Sequence, residues 1–273
     1  MDLTAPGPTR VMGVVNVTPD SFSDGGRWLD PEAAIAHGRA LAAAGADILD
    51  IGGESTRPGA RRVPVDEEIA RVVVVIETLS REGYVVSVDT VNAATARAAV
   101  AAGARIVNDV SGGLADPAMA RAVAQTGALY VAQHWRGTPE TMDQLAVYDD
   151  VVGEVLAELD ERVAALLAAG VDRAQIVLDP GLGFAKNAAQ NWELLRRVDE
   201  LMAHGYPLLV GASRKRFLAG TMAPVRGSAP RERDVATAAV TALVAQRRVW
   251  GVRVHDAAGS FEARAVAEAM RRG

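Results

Sequence analysis

Short, β-branched apolar runs alternate with longer Ala-rich stretches along the whole chain. The runs fall at residues 11–17, 48–51, 85–88, 106–107, 129–132, 176–178, 208–210 and 252–254. Between them, apolar positions recur at helical spacing over 31–44, 66–81, 92–102, 117–125, 151–169, 188–204 and 233–247, with a last such stretch over 261–270. Unbroken apolar strands separated by helices are the signature of βαβ units on a parallel sheet covered on both faces. Eight strand–helix pairs in 273 residues predict an α/β (β/α)8 TIM barrel, a fold of about 250 residues. A doubly wound sheet is the alternative that the pattern alone leaves open.

Gly45, Gly83, Gly103, Gly127, Gly170 and Gly205 each follow an apolar helical stretch, where a helix commonly ends in a left-handed residue. The cadence GADILD, GYVVSVD, GARIVND and GALYVAQH is a weak repeat of the helix-to-strand turn. No low-complexity linker divides the chain, so a single domain over 1–273 is expected, with 1–10 as a flexible N-terminus and 222–232 as a loop.

Composition narrows the function classes. The chain is 49% hydrophobic and 23% charged, which supports a sizeable core and excludes disorder. It has no cysteine, which excludes a disulfide scaffold, thiolate catalysis and Cys-ligated metal. A net charge of −5 argues against a nucleic-acid partner. The longest candidate stretch, 151–171, is interrupted by Glu154, Glu158, Asp160, Glu161 and Arg162, so no membrane span is expected. MDLTAPGPTR lacks the apolar core of a signal peptide, and a cytoplasmic location is the expectation. Of 29 Lys and Arg residues only Lys186 and Lys215 are lysine. These two positions are where an ammonium is called for and a guanidinium is not.

In a barrel, chemistry sits at the C-terminal ends of the strands. Those ends read Asn16, Asp89, Asn108-Asp109, His134, Asp179, Ser213-Arg214-Lys215 and Arg253 with His255. A single strand-end Asp or Asn is usually a turn or cap residue; the density of the set is what points to a site. In Val252-Arg253-Val254-His255 the period of two puts Arg253 and His255 on one face, either as a paired anion site in the mouth or as a rim salt bridge. Ser87 and Asp89 share a face in the same way. Phosphate often binds in the loops after strands 7 and 8, which here carry Lys215 and the Arg253/His255 pair. Gly181-Leu182-Gly183 lacks the third glycine and the ribose-binding acid of a dinucleotide fold, and no Walker A motif exists. His37 and His204 read as surface or packing residues.

Taken in order, VMGVVNVTPDSFSDGG, DIGGESTRPGA, SVDT, NDVSGG, LDPGLGFAKN, GASRKRF and VRVHD resemble the motifs of the dihydropteroate synthases, pterin-binding barrel enzymes of folate biosynthesis. The resemblance spans residues 11–256. It implies a homodimeric transferase that joins 6-hydroxymethyl-7,8-dihydropterin diphosphate to 4-aminobenzoate, gives 7,8-dihydropteroate and pyrophosphate, requires Mg2+ and is a sulfonamide target. It implies a pterin pocket of Asp89, Asn108, Asp179, Lys215, Gly211 and Gln133. Asn16, Arg253 and His255 would hold the diphosphate, with Mg2+ on Asn16. Phe22, Thr56, Arg57, Pro58, Phe184 and Ser213 would enclose 4-aminobenzoate, and Asp24, Lys215, Arg253 and His255 would be catalytic. Gln133 departs from the Met common before this histidine, which bears on the shape of the pterin pocket. A pterin-dependent methyltransferase with a corrinoid partner would have no need of ESTRPG, SRKRF or Arg253 and His255. A catalytically silent pterin-binding paralogue would show degraded loops, whereas these motifs are intact.

Overall fold

The computed structural model describes residues 3–17, 31–54, 63–138, 140–222 and 229–272. Its strands are β1 (Arg10–Asn16), β2 (Ile48–Gly52), β3 (Val86–Asp89), β4 (Ile106–Asp109), β5 (Leu129–Gln133), β6 (Ile176–Asp179), β7 (Leu209–Val210) and β8 (Gly251–Val254). All pair in parallel in the order β6-β5-β4-β3-β2-β1-β8-β7, and a bridge between Leu178 and Leu208 closes the sheet into a barrel. Around it lie α1 (Pro31–Ala43), α2 (Val65–Arg81), α3 (Ala93–Ala101), α4 (Met119–Thr126), α5 (Val151–Ala168), α6 (Ala188–Arg196), α7 (Val198–Ala203), α8 (Asp234–Gln246) and α9 (Ala257–Arg272). This is the (β/α)8 architecture, and the doubly wound alternative is set aside by the closure.

The period of two sorts each strand. Val86, Val88, Val252 and Val254 turn outward into the main core, where the helices cover them. Met12, Ile48, Ile106, Leu129, Val131, Val177 and Leu209 turn inward and form a second cluster at the bottom of the barrel. Above that cluster the inward positions become polar, with Asp50, Ser87, Asp89, Asn108, Gln133 and Asp179 all buried. An apolar floor under a polar mouth is the division that a barrel enzyme needs.

Two expectations change. The segment over 1–10 does not hang loose from Leu3 onward. Leu3 joins the inner cluster, the Trp250 indole donates to its carbonyl at 2.8 Å, and Thr9 Oγ1 donates to Val249 O at 2.9 Å. An apolar residue that can enter the open bottom of a barrel gains burial there. The single helix expected over 188–204 is two, α6 and α7, broken at Arg197 (φ −100°, ψ 27°). Leu194, Val198 and Leu201 are buried in the core on both sides of the break.

The six glycines after helices do have positive φ, from 68° to 114°. The described part of 222–232 includes one short 3-10 helix, Pro230–Arg233. Among the described residues no helix is long and apolar enough to cross a membrane.

Candidate active site

Strand register sets the height of the mouth residues. Asn16 lies beside Gly52, Gly52 beside Asp89 and Asp89 beside Asn108, while Gln133 lies beside Asp179. Five strands thus deliver polar groups to the mouth without any loop having to place them, Asn16, Asp89 and Asn108 at one level and Gln133 and Asp179 at the next.

Arg253 rises from β8 into the middle of this ring. Its Nε donates to Asp50 Oδ2 at 2.6 Å and one terminal nitrogen to Asp89 Oδ2 at 2.5 Å. Asn108 Nδ2 also donates to Asp50 Oδ2, at 3.0 Å. Burial pushes the Asp89 carboxyl up to about 7, against the opposing charge of Arg253. Burial would lower Arg253, but the charges of Asp50 and Asp89 outweigh it and hold the guanidinium charged. Asp50 shares that cation with Asp89, and its charge adds to the effect of burial on the Asp89 carboxyl.

On the other wall, Asp179 Oδ1 accepts from the Gly181 N–H at 2.7 Å. Burial raises its carboxyl, and the charge of Lys215 opposes this. Lys215 donates to Leu182 O, and its ammonium lies 4.8 Å from the centre of the Phe184 ring. Burial lowers Lys215 to about 8, with Asp179 acting the other way. Gly211 sits where these groups meet. A side-chain carbon placed on it would lie 3.6 Å from Asp179 Oδ2, 3.8 Å from Lys215 Nζ and 4.0 Å from Arg253 Cβ. The missing side chain leaves room for a flat ligand between them.

Ser213 Oγ is 2.9 Å from His255 Nδ1 and accepts from the His255 backbone N–H at 3.1 Å. The hydroxyl thus ties both the backbone and the ring of His255 and fixes the orientation of the imidazole, with the direction of the Oγ–Nδ1 bond set by the ring's tautomer. Gln133 Nε2 donates to Val110 O at 3.2 Å, so its amide is fastened to the strand-4 loop. Asn16 and Phe184 are half-buried.

The structure therefore brings together Asn16, Asp89, Asn108, Gln133, Asp179, Gly211, Ser213, Lys215, Phe184, Arg253 and His255. Phe22, Asp24, Thr56, Arg57 and Pro58 lie outside the described residues. His134, at a strand end, does not join the mouth: its parity is opposite to that of Gln133, and Nε2 meets Glu158 on α5 at 3.1 Å. His204 pairs with Asp160 on the helical shell at 2.7 Å. Asp50 escaped the sequence reading because it lies inside an apolar run and not at a strand end. A lone carboxylate in a buried strand was the available signal, since it needs a buried cation.

Comparison with known proteins bears on the whole chain. A family model described as "Pterin binding enzyme" matches residues 12–255. The dihydropteroate synthase of Mycobacterium leprae is 52% identical over 259 residues, 94% of this chain and 91% of that protein. The Escherichia coli K12 dihydropteroate synthase is 41% identical over 270 residues, covering 98% and 93%. Among solved structures, Xanthomonas albilineans dihydropteroate synthase with 4-aminobenzoic acid superposes with a TM-score of 0.89 at 45% identity, covering 97% of this chain and 94% of that one. The Yersinia pestis dihydropteroate synthase in a sulfonamide drug complex gives 0.90 at 37% identity, covering 100% and 97%.

Proposed function

The chain belongs to the pterin-binding enzymes, and within them to the dihydropteroate synthases, and from that premise we propose how its barrel mouth performs the reaction. It is a transferase of folate biosynthesis that joins 6-hydroxymethyl-7,8-dihydropterin diphosphate to 4-aminobenzoate. The observation that carries the site assignment is the convergence of Asp179, Lys215 and Arg253 about Gly211 at the open end of the barrel.

A pterin edge alternates donors and acceptors, and a fixed carboxylate beside amides reads such an edge in a bidentate way. Asp179 takes the ring N–H and amino group, Asn108 and Asp89 line the far wall, Gln133 closes one side, and Lys215 covers the ring. The barrier is departure of pyrophosphate from the pterin methylene, through an SN1-like path that leaves a ring-conjugated cation. Charge builds on the leaving oxygens, so donors already in place lower that barrier most. Arg253 is such a donor: Asp50 and Asp89 hold its fork by two nitrogens and leave Nη1 out of both ion pairs. His255, oriented by Ser213, is a second.

Mg2+ fits this donor set. Among the described residues no group of three His, Asp or Glu side chains stands ready to cage a metal. Asn16, whose amide oxygen is a hard neutral ligand of the kind this cation takes, would hold the ion as the family resemblance implies. Its contribution when bound would be to neutralise diphosphate charge. Phe184 and the Lys215 ammonium form one wall for 4-aminobenzoate. Phe22, Asp24, Thr56, Arg57 and Pro58, from the two loops, would complete it and exclude water from the cation.

We also read the chain as a cytoplasmic homodimer. Exposed Leu243 on α8 and exposed Val266 and Met270 on α9 support this, and Gln246 Nε2 lies 3.9 Å from Met270 Sδ, placing them on one side of the molecule.

The test is pyrophosphate release by purified protein supplied with both substrates and Mg2+. Arg253→Gln should lower turnover about 100-fold while a pterin lacking the diphosphate still binds. Equal loss of turnover and of pterin binding would remove Arg253 from the leaving-group role.

A further inference from the structure

Lys186, the other lysine, takes no part in the reaction described above, yet it is buried and fully engaged. Its ammonium donates to Gly181 O at 3.2 Å, to Phe184 O at 3.1 Å and to His134 Nδ1 at 2.9 Å. The two oxygens belong to the loop after β6, and the same loop is held elsewhere. Lys215 donates to Leu182 O, between them. Asn191 on α6 accepts from the Gly183 N–H at 2.6 Å and donates to Lys186 O at 3.2 Å. Gly181, Gly183 and Ala185 all take left-handed φ, at 68°, 75° and 48°. Neighbouring carbonyls therefore serve different side chains.

Both lysines of the chain thus end on carbonyls of one four-residue stretch. An ammonium has three donors in tetrahedral array and meets three convergent acceptors; a planar guanidinium does not. Behind Lys186 the network runs on to the helical shell. Burial, and then the charge of Lys186, push His134 down to about 4, so its neutral ring accepts at Nδ1 and donates from Nε2 to Glu158. Glu158 is pushed down to about 2, by that hydrogen bond first and by Arg136. Arg136 Nε donates to Glu158 Oε1 at 2.9 Å, and its guanidinium lies 3.9 Å from the centre of the Tyr148 ring.

We propose that Lys186 is a positioning residue for the second substrate: by gripping Gly181 O and Phe184 O it fixes the Phe184 ring. This rests on the site reading given above. Lys186 itself never touches the arylamine.

Isotope-labelled lysine offers a direct test on the unaltered protein, because two lysines give two side-chain NMR signals. Lys215→Arg assigns them. Adding 4-aminobenzoate to the protein holding a pterin and pyrophosphate should shift both signals. Movement of the Lys215 signal alone would overturn the coupling. In parallel, Lys186→Met should lower kcat/KM for 4-aminobenzoate about tenfold or more while pterin affinity changes less than about threefold, and Lys186→Arg should not rescue it. Equal losses toward both substrates, or full activity in Lys186→Arg, would also overturn the proposal. The NMR arm stands whether or not Lys186→Met folds. A failure of the site reading would show differently, as no pyrophosphate release from the unaltered enzyme.

Discussion

On the proposed reading, Lys215 is the side chain beside which two flat substrates meet. A compact ammonium fits between rings where a guanidinium fork would crowd them, so Lys215→Arg should lower turnover about 100-fold even though the charge is kept. The pH profile separates charge from shape. Lys215 sits at about 8, below its ordinary value, so its charge is present below pH 8 and lost above. Asp89 sits at about 7, above its ordinary value, so it gains a proton as pH falls through 7. Measured on the free enzyme, kcat/KM should therefore fall on both sides of a window near pH 7–8. The alkaline limb should shrink in Lys215→Arg, because arginine does not deprotonate, and what remains of it belongs to Lys186, which burial lowers to about 7. At this scale the sequence was legible where period-two alternation applied: Ser87, Asp89 and Arg253 turn inward as the spacing of two requires. It was not legible for Asp50, because its partner lies far away in the chain, nor for the grip of Lys186, whose acceptors Gly181 and Phe184 are near in sequence but are turned toward it only by the conformation of the loop. Asp50 and Arg253 are 203 residues apart, and nothing local announces such a pair.

At the scale of an element, the strand ends were readable because β-branched runs stop where polar residues begin. The loops were not, since their shape depends on what grips them. The β6 loop gives a sharp case. Gly181 has φ 68°, and a Cβ there would lie 2.3 Å from His134 O, a backbone atom that cannot yield. Gly83 has φ 89° with nothing within 4 Å. Gly83→Ala therefore meets only the left-handed penalty, about 1 kcal/mol, whereas Gly181→Ala adds a clash that displaces the loop and Asp179's N–H partner with it. Thermal denaturation should show a shift several times larger for Gly181→Ala, and its turnover should fall while that of Gly83→Ala holds. Comparable shifts would mean that the loop tolerates movement. The split between α6 and α7 was hidden because the periodicity of 188–204 is continuous: Leu194, Val198 and Leu201 keep helical spacing across Arg197.

For the whole molecule, closure is uneven. Most neighbouring strands share several register positions, whereas β6 meets β7 through the single bridge at Leu178 and Leu208. The outer shell is uneven too, since Leu243, Val266 and Met270 stand exposed on α8 and α9. A second copy packing there would hide them. Sedimentation should return about twice the 28.6 kDa chain mass, and Leu243→Glu with Met270→Glu should return the monomer. A single-chain mass for the unaltered protein would leave that face without its proposed occupant. The fold as a whole was legible because eight alternations in one chain admit few closures; the assembly was not, since a surface leucine in a sequence looks like any other.

Leu3 and Trp250 plug the lower end of the barrel, and that makes the mouth a vessel with one door. Whatever lies deepest must enter first, and nothing can leave past a later arrival. On the proposed seating of the pterin against Asp179, the pterin should precede 4-aminobenzoate, and the joined product should clear the doorway before the next pterin descends. Traffic through this enzyme is therefore a queue, and product-inhibition patterns would show whether the order holds.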